Sequence, residues 1–225
     1  RDAVVLYPEP EKNPVFSGSG MGHKSISWTL KKLGYDKLCP LKEFTTFKSN
    51  NLEITTLPSN VRFPEYSFLL ECNNRSILLC GDSILHPKTK EYLLKRDRKI
   101  DIAFVPSHSS SPARPLTERK SENYEPYIDK NKENFTNYVN FLNAELIIPY
   151  AVGWKIQTAN QEENFNWANH ILFPFLPHEA INVVKSAQKQ TGMLVDPADI
   201  ITLDKSGFPS KTNETIKQNH QPQKD

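Results

Sequence analysis

Two kinds of side chain in this sequence are suited to chemistry at neutral pH: a carboxylate set in a glycine turn, and a few histidines near it. Cys80-Gly81-Asp82-Ser83 follows directly on the apolar run of residues 75–80. An acidic residue at the end of a buried strand can project into a cleft. Gly81 would let the backbone turn sharply and leave room beside the carboxylate. Such a carboxylate suits a hard or borderline metal ion, or the orienting of a water. The plainer alternative is an aspartate that ends a strand and caps the next turn. His86 stands four residues beyond Asp82, and His108 follows the apolar run of residues 101–106. Chain order brings both toward the same edge as Asp82, although a lone loop histidine is more often structural. His170 and His178 read as packing or capping positions, and no two histidines have the i, i+4 spacing of a helical metal site.

Other chemistries find little support. The three cysteines, Cys39, Cys72 and Cys80, are an odd number and fit no zinc spacing. Cys72 and Cys80 lie in apolar strand-like runs, where a free thiol behaves as a small buried hydrophobe. That usage fits a reducing, cytoplasmic setting. Gly18, Gly20 and Gly22 precede Lys24 and Ser25, but match neither phosphate-binding glycine pattern. There is no G-x-S-x-G elbow for serine catalysis. Phe165, Trp167, Phe173 and Phe175 would line a groove, or more simply cover a sheet.

The elements that must position these residues follow from periodicity. Residues 3–7 are apolar and end at Pro8, which predicts a strand. Ile26, Leu30 and Leu33 form a helical stripe that Gly34 should stop. Residues 43–48 and 52–57 read as a hairpin across Ser49-Asn50-Asn51. Residues 66–72 and 75–80 read as a second hairpin across Asn73-Asn74. A short polar helix is expected within residues 86–99, then a buried strand at 101–106. Residues 107–132 are polar and proline-rich, and read as a loop or lid. Phe135, Val139 and Leu142 share a helix face, a buried strand follows at 144–150, and residues 178–190 form an amphipathic helix. A last strand is expected within 195–203, and residues 205–225 read as a disordered tail. Strand hairpins followed by alternating helix and strand predict a mixed α/β domain.

Composition narrows the function. The formal net charge is +2, from 28 basic and 26 acidic residues, which argues against a nucleic-acid binder. No apolar run is long enough to span a bilayer. The oligomeric state is not legible. Hydrophobic residues are 37% and mean hydropathy is −0.57, so a fair part of the chain should be loop or tail.

Read together, the second hairpin, the Gly81-Asp82-Ser83 turn and the strand Ile100-Asp101-Ile102-Ala103-Phe104-Val105-Pro106 form a larger pattern. It resembles the metallo-β-lactamase fold superfamily, in its lactonase-like metallo-hydrolase branch. The resemblance implies an αβ/βα four-layer sandwich spanning residues 1–204, with its first strands upstream of Arg1. It implies a metal centre of zinc, iron or manganese that activates a water against an ester, lactone or phosphate-containing substrate. The family's H-x-H-x-D-H loop occurs nowhere in the sequence and would fall before Arg1. Among the other ligand positions, the aspartate is present as Asp82. The later histidine corresponds to Asn60, and the final one falls in the segment opened by Tyr150. A neutral amide is a weak zinc ligand, and tyrosine suits iron better than zinc. Asp82 is therefore the main candidate ligand, with His108, His86, Asn60 and Tyr150 as secondary ones. The competing expectation is a metal-free binding module on the same fold, with no catalytic residue assigned in either case.

Overall fold

The computed structural model describes residues 3–8, 26–60, 65–81, 85–107, 125–150, 177–187, 191–195, 199–203 and 209–213. Its centre is a seven-stranded sheet built in chain order. The strands are β3 (Thr46–Ser49), β4 (Leu52–Pro58), β5 (Tyr66–Cys72), β6 (Arg75–Leu79), β7 (Ile102–Pro106), β8 (Leu146–Tyr150) and β9 (Thr191–Gly192). The first four pair antiparallel, and from β6 onward the pairing is parallel. Parallel neighbours need crossovers. Helices α2 (Pro87–Leu94), α3 (Glu125–Leu142) and α4 (Pro177–Ser186) supply them.

All three helices lie over one face. Leu57, Leu69, Leu78, Ala103, Val105 and Ile147 point into it from the strands. Phe135, Tyr138 and Val139 of α3, and Ala180 and Val184 of α4, meet them. Every one of these residues is at most 5% exposed, so this face is the main core. The opposite face carries Ile102, Leu146 and Ile148, against which Ile77, Phe104, Met193, Val195 and Ile201 pack. Ile201 comes from β10 (Asp199–Leu203), which pairs antiparallel with β11 (Pro209–Asn213). A further small sheet pairs β1 (Val5–Pro8) with β2 (Leu38–Leu41) in parallel. It touches the main sheet where the Tyr66 hydroxyl donates to the Leu41 carbonyl at 3.1 Å.

The predicted elements around the hairpins and crossovers are present with small shifts in their ends. Gly34 stops α1 (Ile26–Lys32) with φ +83°, a conformation open to glycine at little cost. Three expectations need correction. The polar segment 107–132 is not all loop, because α3 begins at Glu125. The stripe through Phe135, Val139 and Leu142 anchors a helix whose first turns carry polar residues that read as loop. The segment from 205 onward contains β11, whose backbone pairs with β10 although its side chains are polar. Lys211 fixes the pairing through an ion pair to Asp199 at 2.6 Å. Strand β2 was not expected, since its central Cys39-Pro40 has poor strand character, and proline is tolerated where a ladder ends. The glycine-rich turn, the aromatics at 165–175, His170 and residues 108–124 lie outside the described residues. Among the described residues, no helix is long and apolar enough to cross a membrane.

At the N-terminal edge of the parallel strands, Asp101 ties β6 to β7. It pairs with Arg75 at 2.7 Å and accepts from the Ser76 amide at 2.6 Å and the Ser76 hydroxyl at 3.2 Å. The Ser76 hydroxyl also lies 2.9 Å from the Lys99 carbonyl, and Ser76 is 1% exposed.

The β5–β6 turn yields a direct test. Asn73 and Asn74 have φ of 48° and 61°, the type I′ geometry that matches strand twist. Replacing Asn74 with Ala should cost about 1 kcal/mol, while Gly should be neutral or stabilising. Urea denaturation of both variants checks this. Equal stability of the two would refute the turn assignment.

Candidate functional site

The opposite edge gathers the ends of β4, β6, β7 and β8. Here the chain runs from Pro58 into Ser59-Asn60, from Leu79 into Cys80-Gly81, from Pro106 into Ser107, and out of Tyr150. These ends are bound to one another. The Cys80 amide donates to the Phe104 carbonyl at 3.1 Å, extending the β6–β7 ladder by one residue. Both the amide and the hydroxyl of Ser107 lie 3.0 Å from the Tyr150 carbonyl. The Gly81 amide donates to the Ser67 hydroxyl at 3.1 Å, and Ser67 lies 3.3 Å from the Ser59 hydroxyl. The Tyr150 hydroxyl sits 2.6 Å from the carbonyl oxygens of both Cys80 and Gly81, so its one proton is shared between them.

Cys80 is 8% exposed, and its sulfur accepts from the Tyr138 hydroxyl at 3.2 Å. Burial pushes the Cys80 thiol up to about 12, against a smaller lowering by Tyr138. Burial first, and the neighbouring Cys80 next, raise the Tyr138 phenol well above its ordinary value. The nearby Leu85 backbone acts in the lowering direction. Both groups are therefore neutral at physiological pH, and Cys80 is no nucleophile there.

The candidate residues are placed as follows. Asp82 and His108 lie outside the described residues. They follow directly on Gly81 and Ser107, both of which are at the edge. Asn60 is exposed, one residue past the antiparallel bridge between Ser59 and Leu85. His86 leaves that bridge in the other direction, back along β4, where its amide lies 3.4 Å from the Pro58 carbonyl. It caps α2: its Nδ1 accepts from the Lys88 amide at 3.2 Å. Beside it, the buried Thr89 hydroxyl donates to the Pro58 carbonyl at 2.7 Å. Tyr150 is at the edge, with its hydroxyl turned to backbone carbonyls.

Glu65 is a residue that sequence reasoning missed. A Cβ at Gly81 would collide with the Glu65 carboxylate and come within 2.9 Å of the Ser59 hydroxyl. Gly81 thus makes room for a neighbouring side chain, a reason other than the expected sharp turn: among described glycines only Gly34 has a positive φ. The room beside Gly81 is filled by the carboxylate of Glu65, from the start of β5. Nothing in the spacing of Glu65 marks it. The signal lies on Gly81, across the hairpin.

Metal chemistry can be tested against this donor set. Asn60 offers a neutral amide, His86 has committed Nδ1 to a helix cap, and the Tyr150 phenol is donating. Among the described residues, no group of three or more His, Cys, Asp or Glu side chains is placed to hold a metal ion. These residues do not by themselves fit the metal centre that the resemblance implies. Any such centre would draw on Asp82 and His108.

Two predictions follow from the packing. Gly81→Ala should cost about 1–3 kcal/mol by displacing Glu65, and Glu65→Ala should restore much of the loss. Additive penalties in the double variant would rule out the contact. The Cys80 shift also sets a sign for pH. A thiol with a folded value near 12 and an ordinary value of 9.0 holds its proton in the folded chain after the unfolded chain has lost it. Stability should therefore be full below pH 9 and fall as pH rises from 9 toward 12. Cys80→Ala should flatten that slope in thermal melts. An unchanged slope would contradict the assignment.

Sequence comparison with protein families finds no matching family model, and no curated protein matches the chain. Solved structures do match. CmlA from Streptomyces venezuelae, a diiron β-hydroxylase, superposes with TM-score 0.55 at 15% identity, over 85% of this chain and 38% of its own. Igni18 from Ignicoccus hospitalis, a metallo hydrolase, superposes with TM-score 0.51 at 12% identity, over 84% of this chain and 66% of its own. This chain thus spans less than two thirds of either protein. Both neighbours belong to the metallo-β-lactamase superfamily, and identities this low speak to fold alone. The mixed sheet, its helical face and these superpositions agree: the chain has the metallo-β-lactamase fold.

Proposed function

We propose that this chain contributes to a metal-dependent hydrolase of the metallo-β-lactamase superfamily, acting on a small ester, lactone or phosphate-containing substrate. The observation that carries the reading is the bound peptide at Cys80-Gly81. Tyr150 and Ser67 hold it at the edge where four strands end, and Asp82 is the next residue. A carboxylate that starts from a fixed backbone loses less entropy when it takes up a ligand. Asp82 is the first candidate ligand and His108 the second. Zinc is the first expectation for the ion, with iron or manganese as alternatives. The diiron description of CmlA and the metallo hydrolase description of Igni18 support a divalent metal. Such an ion supplies a Lewis acid and a water of lowered pKa. The small net charge supports a small molecule, and neither nucleic acid nor membrane, as partner. Three unpaired cysteines support a cytoplasmic setting.

A second reading is a metal-free binding module. It is favoured by the Tyr150 hydroxyl, which is committed to two carbonyls at an edge where the fold family places a ligand. Elemental analysis of the purified protein and of Asp82→Ala separates the two. One or two equivalents of metal, lost on substitution, are expected for the hydrolase. A parent free of metal after growth and purification with zinc, iron and manganese supplied would leave the binding module.

A further inference from the structure

We propose that the small β1–β2 sheet is a separately opening unit, latched beside the C-terminal edge of the parallel strands by the hydroxyls of Thr56 and Tyr66. The inference goes beyond the reading above and stands without it. It rests on the packing at the flank of that edge and on no metal.

A pair of strands is marginal without further packing. Here Leu6 of β1 and the preceding Val4 are 46% and 62% exposed. The hold on the main sheet comes where β2 ends. Leu41 is buried, and its carbonyl accepts from the Tyr66 hydroxyl at 3.1 Å. The chain then turns through Lys42-Glu43-Phe44-Thr45 into β3. Thr56 of β4, fully buried, closes this turn with its side chain. Its hydroxyl donates to the Lys42 carbonyl at 2.7 Å and accepts from the Thr45 amide at 3.0 Å. An ordinary β-turn joins those two backbone groups to each other. The Thr56 backbone brackets the same turn, accepting from the Phe44 amide at 2.8 Å and donating to the Thr45 carbonyl at 3.0 Å. Phe44 is held at φ +53°, a left-handed conformation that a bulky residue rarely adopts. Its ring centroid lies 5.5 Å from that of Tyr92 in α2. The turn is thus closed against the preference of its own backbone, which favours release once the Thr56 hydroxyl is gone. Both anchors lie toward one end of the β4–β5 pair, with Thr56 opposite Phe68 and Pro58 opposite Tyr66. Just beyond, the Ser59 amide donates to the Glu65 carbonyl at 3.0 Å. The docked unit shields this flank of the edge, and its release opens the flank where Ser59 and Glu65 meet.

Trypsin reports on the latch, because Lys42 is an exposed cleavage residue inside the closed turn. Cutting after it requires the residues on both sides to leave the fold, so the rate follows the open population. Appearance of the fragment ending at Lys42 is timed by mass spectrometry in the whole chain, Thr56→Val and Tyr66→Phe. Each substitution removes one hydroxyl and nearly keeps the shape. Val184→Ala, on the α4 side of the core, serves as a control that lowers global stability. Each latch variant should be cut about three- to tenfold faster than the parent, at a rate insensitive to low urea, the mark of local opening. The control should not reproduce the effect. Acceleration in one variant alone, no acceleration, or rates that simply follow global stability would overturn the two-point latch. Hydrogen exchange of the Ser59 amide, read by NMR in the same variants, tests the flank. It should quicken along with the cleavage. Exchange as slow as in the parent would confine the opening to the turn and overturn its link to the edge.

Discussion

Parallel pairing from β6 to β8 is the constraint on which the rest of the molecule depends. Antiparallel strands alternate their ends between two edges, but parallel strands place every C-terminal end on one. Each crossover must then return across the sheet, and here all three described crossover helices do so over the same face. The result is a division of labour. The N-terminal edge is stapled by Asp101, Arg75 and Ser76, and the C-terminal edge is left for loops. Gly81, Ser107 and Tyr150 belong to that second edge because of strand direction alone.

Much of this fold was legible before any coordinates. The two hairpins announced themselves through asparagines between apolar runs, since positive φ is locally encoded. The buried strands β7 and β8 showed as short apolar runs, and α3 and α4 as 3.6-residue stripes. What failed to show was structure that rests on backbone pairing instead of side-chain burial. β11 is polar throughout and held by its partner strand. β2 contains a proline. The opening turns of α3 borrow their stability from the apolar stripe farther along, so their composition reads as loop.

The site was legible in a different way. The glycine and aspartate that follow β6 were visible as a pair, but the reason for the glycine was not. Sequence reasoning assigned its space to the turn and to Asp82, whereas the space belongs to Glu65. A steric requirement between residues 16 positions apart leaves no periodic trace. Tyr150 shows the same limit. Its position invites comparison with a ligand, yet its hydroxyl is engaged with carbonyls of β6, and only three-dimensional contact reveals that.

The staple at the other edge has a consequence for covalent modification. Asn74-Arg75-Ser76 is a glycosylation acceptor in sequence, and the tip of a type I′ turn is an accessible place for one. Its serine, however, is withdrawn into the sheet, with its hydroxyl on the Lys99 carbonyl and the Asp101 carboxylate. An enzyme that must read asparagine and hydroxyl together meets only half of its signal once β6 has paired with β7. Any sugar at Asn74 would have to arrive before that pairing, and the folded chain is closed to it.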